Sequence, residues 1–262
     1  MCIFAGIIII RLVPWSAYVG RGKGKTHREE MDKDYSAEIA NAVSYFWHKK
    51  ISQLSESGDT SNRGAVVGGK QMDGFIMLLK AVARDAGILE RYVITDQNYL
   101  PGFFRSSKDW DMLIITPAGK LLAAIELKSQ VGSYGNNFNN RTEEAIGSAV
   151  DLWTAFREGQ FPEQQAPWLG WLMVVGRDEV SERPVRNREP YFPVRPEFVG
   201  ASYLDRYRIF CQKLIRERHY TSAALVWTSD CNTCGDMSVD TSIGQFLRSF
   251  YNYLCSVADE CR

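Results

Sequence analysis

The stretch that most limits what this chain can fold into is Asp111 to Lys128, DMLIITPAGKLLAAIELK. Met112 to Ile115 is a continuous apolar run, as a strand covered on both faces requires. Pro117-Ala118-Gly119 is turn chemistry, and Lys120 to Lys128 is the return strand of a β-hairpin. Alternation along that strand sends Glu126 and Lys128 to one face and Ile125 and Leu127 to the other. The position of Asp111 then depends on the turn. A two-residue turn on Ala118-Gly119 sets Asp111 opposite Glu126, with Cβ atoms about 4.5–5.5 Å apart. A three-residue turn on Pro117-Ala118-Gly119 sets it opposite Ile125 instead. The residues suit the longer turn, which predicts a bulge or strong twist at Asp111 that brings its carboxylate round.

Two carboxylates on one rung repel by about 4 kcal/mol at ~4 Å and an effective dielectric near 20. They persist together only with a proton or a cation between them. A few hard oxygen ligands, with room left for water and phosphate oxygens, suit Mg2+ better than zinc. A lysine two residues beyond Glu126 can position or help deprotonate a water and offset charge in a phosphoryl transition state. Asp, a spacer, then Glu-x-Lys outlines a metal-dependent phosphodiester hydrolysis site. Glu-x-Lys by itself is frequent on half-exposed strands, where it is a surface ion pair. A hairpin otherwise apolar on both faces has little reason to carry three ionised groups on one rung unless they are used.

The remaining chain supplies helices and strands to cover this hairpin. Apolar residues at Ala40, Val43, Phe46, Trp47, Ile51 and Leu54 predict a helix from Tyr35 to Leu54, with Ser36 as its cap. Ser55 to Gly69 reads as a loop. A helix from Gln71 to Ala86 buries Phe75, Leu78, Leu79 and Val82 and stops at Gly87. Asp73 near its start complements the positive helix end, or is a third acidic group near the metal. Asp96 to Lys108 is irregular, and its Arg105 and Lys108 beside Phe103 and Phe104 could track a phosphate backbone. Val131 to Asn140 is rich in Gly and Asn, so Asn139 or Asn140 is expected to cap a helix from Arg141 to Gly159. Leu169 to Val175 and Ala223 to Thr228 are buried strands. Arg177 to Val199, with four prolines, is a long surface excursion. Tyr203 to Arg218 is a basic helix, either a solvated face or a DNA-facing one, and Thr241 to Ala258 is the last helix.

Composition narrows the function by exclusion. With 31 basic and 31 acidic residues and 45% hydrophobic content, the 262-residue chain is an ordinary globular protein with no bulk positive field. That does not exclude DNA, because basic groups can be confined to one cleft. The six cysteines form no disulfide framework, which fits the cytoplasm. Cys231-Asn-Thr-Cys234 lacks the second pair of a zinc site and reads as turn residues. Histidines at 27, 48 and 219 are scattered and support no histidine-dependent nucleophile. The apolar start, Met1 to Ile10, is too short for a bilayer span, where about twenty residues are needed, and no membrane association is expected. Residues 1–30 are expected to be a disordered N-terminal extension, and residues 31–262 a single nuclease domain.

The run LPGFFRSSKDWDMLIITPAGKLLAAIELKSQVGSYGNNFNNRTEEAIGSAVDLWTAFREG, Leu100 to Gly159, resembles the XhoI-type type II restriction endonucleases of the PD-(D/E)xK nuclease superfamily. The likeness extends more loosely from Met31 to the ALVWTS strand, and Trp110 stands where many members have proline. The resemblance implies a restriction-endonuclease-like α/β fold, a central mixed sheet flanked by helices with a metal site on the hairpin. It implies a homodimer that cuts double-stranded DNA at the palindrome CTCGAG with Mg2+ and leaves 5′-phosphates. Asp111, Glu126 and Lys128 match the catalytic positions, with Mg2+ held by Asp111, Glu126 and the Leu127 carbonyl. A cognate DNA methyltransferase would be encoded nearby. Asn136, Asn137, Asn139, Asn140 and Arg141 are candidates for DNA contacts, since Asn and Arg can read adenine and guanine edges. The alternatives are a superfamily nuclease of repair or junction processing without fixed sequence, and an inactive DNA-binding relative.

Overall fold

The computed structural model of the chain describes residues 33–56 and 70–261. The expected N-terminal extension over residues 1–30 and most of the loop expected before Gly69 lie outside the described residues.

Two helices come first, α1 (Ser36–Glu56) and α2 (Asp73–Asp85). Three short strands follow, β1 (Val93–Ile94), then β2 (Tyr99–Pro101) and β3 (Ser107–Asp109) in and at the end of the segment expected to be irregular. The hairpin is β4 (Met112–Ile115) and β5 (Leu121–Gln130). Beyond it come α3 (Tyr134–Arg157), β6 (Trp168–Gly176), the single turn α4 (Glu179–Glu182), α5 (Tyr203–Arg216), β7 (Ser222–Asp230), β8 (Thr233–Asp236) and α6 (Ile243–Val257). The central sheet has six strands in the order β1-β4-β5-β6-β7-β8, while β2 and β3 form a separate two-stranded ribbon. The sheet is mixed, as expected. Its middle pairs, β5 with β6 and β6 with β7, are parallel, and the flanking pairs are antiparallel. Parallel neighbours need crossovers, and helices serve as crossovers that cover the faces.

Two apolar cores lie on opposite sides of the sheet. One takes Phe46 of α1, Phe75 and Leu79 of α2, and Phe246 and Phe250 of α6 against Ile114, Ile125 and Leu127. The other takes Ala149 and Leu152 of α3 and Tyr207 and Leu214 of α5 against Leu113, Ala124 and Trp171. In α1 the buried stripe is Ala42, Val43 and Phe46, with Tyr35 buried just before the helix, whereas Ala40 and Ile51 are exposed, so the expected stripe is rotated. Asp34, not Ser36, caps that helix, accepting the Ser36 N–H at 2.9 Å.

The largest departure is the start of α3. It begins at Tyr134 after Ser133, in place of the expected cap at Asn139 or Asn140, and those asparagines stand inside the helix. Gly and Asn are poor helix formers, but aromatic packing outweighs them. The Tyr134 ring stacks on Tyr203 at 5.9 Å, and Phe138 meets Tyr207 edge-on at 5.1 Å. The excursion after Arg177 is tied down by the basic helix: Arg206 bonds Asn187 at 2.6 Å, and Lys213 pairs with Glu197 at 2.6 Å. Cys231 begins the turn between β7 and β8, and Cys234 lies in β8, a strand the sequence pattern did not reveal. No helix among the described residues is long and apolar enough to cross a membrane.

Candidate active site

The hairpin closes through the three-residue turn. Thr116 N–H donates to the Lys120 carbonyl at 2.9 Å and Gly119 N–H to the Thr116 carbonyl at 2.9 Å. Gly119 sits at φ +76°, in the left-handed region that favours glycine. Ile115 then faces Leu121, yet Ile114 faces Ala123, so Leu122 is an extra residue bulged out of β5. Beyond the bulge Leu113 pairs with Ala124 and Met112 with Ile125, where the ladder ends; Asp111 follows directly, close enough to Glu126 for the two carboxylates to repel. One bulge lies at the turn end between Ile114 and Ile115, and the expected distortion at Asp111 is present too: the ladder stops at Met112, Asp111 is a bend, and its N–H turns to the carbonyl of Ile125, the residue Met112 already faces.

Asp111 is held from both sides. Its own N–H donates to the Ile125 carbonyl at 3.1 Å, and its Oδ2 accepts the Leu127 N–H at 2.7 Å. The preceding Trp110 is 2% exposed. Asn98 clamps the Trp110 backbone, accepting its N–H at 3.0 Å and donating its side-chain amide to its carbonyl. The site also shares one face of β5: Ala124 belongs to the α3 and α5 core, so alternation places Glu126 and Lys128 on that side.

Glu126 is buried with both oxygens engaged. Oε1 takes the ammonium of Lys128, two residues on, while Oε2 is ion-paired to Lys108 Nζ at 2.7 Å but accepts no hydrogen bond. Burial and the charge of Glu126 push the Asp111 carboxyl up to about 6, against the opposing pull of Lys128 and the Leu127 N–H. For Lys128, burial works against the charged form, but Glu126 and Asp111 together outweigh it and raise its pKa. Lys128 is therefore an ammonium at neutral pH, able to donate to a water or a phosphate oxygen but not to accept a proton.

Pairing of Lys108 with Glu126 went unpredicted because the two residues belong to different sheets. Its neighbour ribbon is fixed from α3: the buried Asp151 accepts the backbone N–H groups of Phe103 at 2.9 Å and Phe104 at 2.7 Å, and the Arg105 guanidinium at 2.7 Å. Gly102 permits this approach, since a Cβ there would collide with the Asp151 carboxylate. The available sequence signal was Asp151 itself, an acidic residue between the apolar Ala149 and Leu152 of a buried stripe. The rings of Phe103 and Phe104 are exposed at the ribbon tip.

The other named residues divide. Asp73 opens α2 on the opposite face, and no set of three or more His, Cys, Asp or Glu side chains able to hold a metal occurs among the described residues. It is thus not gathered with Asp111 and Glu126. Asn136, Asn139 and Asn140 are exposed on the first half of α3, while Asn137 turns back to donate to the Ser133 carbonyl at 3.0 Å. Arg141 pairs with Glu144 at 2.6 Å, and Glu144 in turn adds to the negative field at Lys128. This line of charge connects the asparagine-bearing turns of α3 to the site.

Two carboxylates and one adjacent backbone carbonyl make a small set of hard oxygens of the kind that suits a divalent cation such as Mg2+, with two lysine ammoniums beside it. The family model described as restriction endonuclease XhoI matches residues 52–239. The chain is 51% identical over 182 residues to the type II restriction enzyme BstVI of Geobacillus stearothermophilus, covering 67% of this chain and 81% of that protein. It is 47% identical over 180 residues to the type II restriction enzyme XhoI of Xanthomonas vasicola, covering 66% and 72%. It is 42% identical over 167 residues to the type II restriction enzyme AbrI of Azospirillum brasilense, covering 61% and 74%. No solved structure matches the chain.

Proposed function

We propose that this chain, which belongs to the XhoI restriction endonuclease family and is a type II site-specific deoxyribonuclease, cuts double-stranded DNA at the palindrome CTCGAG through the Asp111–Glu126–Lys128 rung. The observation that supports the catalytic part is the cluster itself: Asp111 accepts the Leu127 N–H at 2.7 Å and feels the charge of Glu126, which is ion-paired to Lys128. A carboxyl held near 6 beside a second, buried carboxylate is the electrostatic setting a cation relieves. Asp111, Glu126 and the Leu127 carbonyl would hold Mg2+, which when bound offsets charge on the scissile phosphate.

The residues of the chain carry the rest. Lys128, kept protonated by the two carboxylates, orients the attacking water or a phosphate oxygen through a charge-assisted hydrogen bond. Water oxygen bonds to phosphorus in line as the bond to the 3′-oxygen breaks, leaving a 5′-phosphate and a 3′-hydroxyl. The exposed asparagines Asn136, Asn139 and Asn140, with Asn137 and Arg141, are the proposed readers of base edges or phosphates. A palindrome is read by two symmetric copies, so a homodimer is proposed. A cutter of this kind would work in the cytoplasm, with the host's own sites protected by a cognate DNA methyltransferase. Residues 31–262 are proposed as the single nuclease domain.

Digestion of plasmid DNA of known sequence with Mg2+ tests the reading. Discrete fragments mapping to CTCGAG are expected. Fragments mapping to another palindrome would overturn the site, and smearing would favour a nuclease without fixed sequence. Intact plasmid with well-folded protein would favour the inactive relative.

A further inference from the structure

We propose that Lys108 is a placeholder cation: in the free protein it occupies the Glu126 oxygen that a divalent cation needs, and it yields that oxygen when a DNA phosphate enters. The inference rests on the reading that Asp111 and Glu126 hold the metal.

Glu126 is the most enclosed charge of the site, its side chain 4% exposed, and each of its oxygens is held by a different lysine. The two lysines are not equivalent. Lys128 lies on the same strand, two residues from Glu126, and must stay beside it. Lys108 arrives from β3, a strand of the separate ribbon that shares no ladder with the central sheet. Its side chain is only 12% exposed. Lys108 Nζ also donates to the Asp109 carbonyl at 2.9 Å and lies 4.8 Å from the centroid of the Trp110 ring. These contacts keep the ammonium at the mouth of the site when it is not on Glu126. An ammonium carries three donors, so a phosphate oxygen can replace the carboxylate as its partner without loss of the other two contacts.

Charge balance gives the direction. Asp111, Glu126, Lys108 and Lys128 sum to zero when all are ionised. A divalent cation entering this set leaves two surplus positive charges in a partly buried space. An incoming phosphate contributes one negative charge, and a Lys108 turned toward that phosphate no longer blocks Oε2. Metal is therefore held weakly without DNA and more strongly with it, and by linkage the metal tightens DNA to the same extent. The device keeps an uncommitted enzyme from holding a loaded metal centre.

Titration calorimetry of Mg2+ into the free full-length protein reads the effect directly. Lys108→Met keeps the apolar stem over Trp110 and removes the charge. It is expected to bind Mg2+ about tenfold or more tightly than wild type, because one repelling charge at contact distance is gone. Lys108→Arg keeps the charge and should stay within about twofold of wild type. Added Mg2+ should also raise the melting temperature of Lys108→Met more than that of wild type. If Lys108→Met does not fold, Lys108→Gln, which retains a donor toward Glu126, is expected to move in the same direction. Equal or weaker Mg2+ binding by the charge-removing variant, with Asp111→Asn losing it, would overturn the placeholder role alone. Mg2+ binding by Asp111→Asn equal to wild type would instead overturn the metal reading on which it rests.

Discussion

The two faces of β5 are built from alternate residues of one strand and do opposite things. Ala123, Ile125 and Leu127 are sealed against α1, α2 and α6, with Ile125 fully buried. On the other face, Glu126 and Lys128 follow Ala124 out from under α3 into a cluster of four ionisable groups. The first face is tolerant in chemistry and strict in volume, and the second is the reverse. The comparison teaches that the apolar side supplies the frame on which the repelling carboxylates sit, while the charged side adds the two lysines on Glu126 and the Leu127 N–H on Asp111. One residue of slip would exchange the faces, so the bulge at Leu122, which sets Met112 opposite Ile125 after the three-residue turn, bears on the candidate site although it lies near the turn.

The strongest way to break this contrast is Lys128→Ala. Cutting should fall by at least about 10³-fold, because the variant loses a charge-assisted contact made to the reacting groups. Binding to CTCGAG-bearing duplex measured by gel shift should change little, and the melting temperature should fall, though less than for a core truncation, because the buried Glu126 keeps Lys108 but loses its other cation. Cleavage retained at the wild-type rate would remove Lys128 from the chemistry. Ile125→Ala, one residue before Glu126 on the sealed face, should do the opposite. Loss of its buried side chain is expected to cost about 2–5 kcal/mol in denaturant unfolding. The fraction that remains folded should still cut at a rate within a few fold of wild type. Equal damage to stability from both substitutions would show that the two faces are not separable.

Legibility in the sequence followed the same division. The hairpin, α2, α5 and α6 were readable because their apolar residues recur at the periods of strands and helices, and the structure keeps them within a few residues of the expected bounds. The start of α3 was not, because SYGNNFNNR carries loop composition and becomes helical only through Tyr134 and Phe138 docking on Tyr203 and Tyr207. Two residues of the candidate site, Glu126 and Lys128, follow from alternation alone. Asp111 did not, since its register depends on where one extra residue is accommodated, and local turn preference gives the turn but not the bulge. Lys108 on Glu126 is a contact between separate sheets, which no spacing within the chain encodes.

A smaller effect sharpens the comparison by asking what the charged face costs. Asp111 is held up to about 6, from an ordinary value of 3.8, by burial and by Glu126. A carboxyl raised in the folded state binds its proton more tightly there than in the unfolded chain. Its stabilising contribution is therefore complete below about 3.8 and is lost as pH rises through about 6. Without metal, Asp111 should cost the fold on the order of 2 kcal/mol at pH 8 once exposure to solvent is allowed for. Asp111→Asn should remove that cost and unfold at higher denaturant than wild type at pH 8, while at pH 4 the two should converge. Millimolar Mg2+ should stabilise wild type but not the variant, and Mg2+ affinity of wild type should fall as pH drops through about 6, because binding must displace the proton. The measurement is a pair of urea curves at each pH with and without metal. A variant less stable than wild type at pH 8 would mean that the N–H of Leu127 bonded to Asp111 Oδ2 outweighs the repulsion. The charged face would then be held together by its own hydrogen bonds and not by the sealed face behind it.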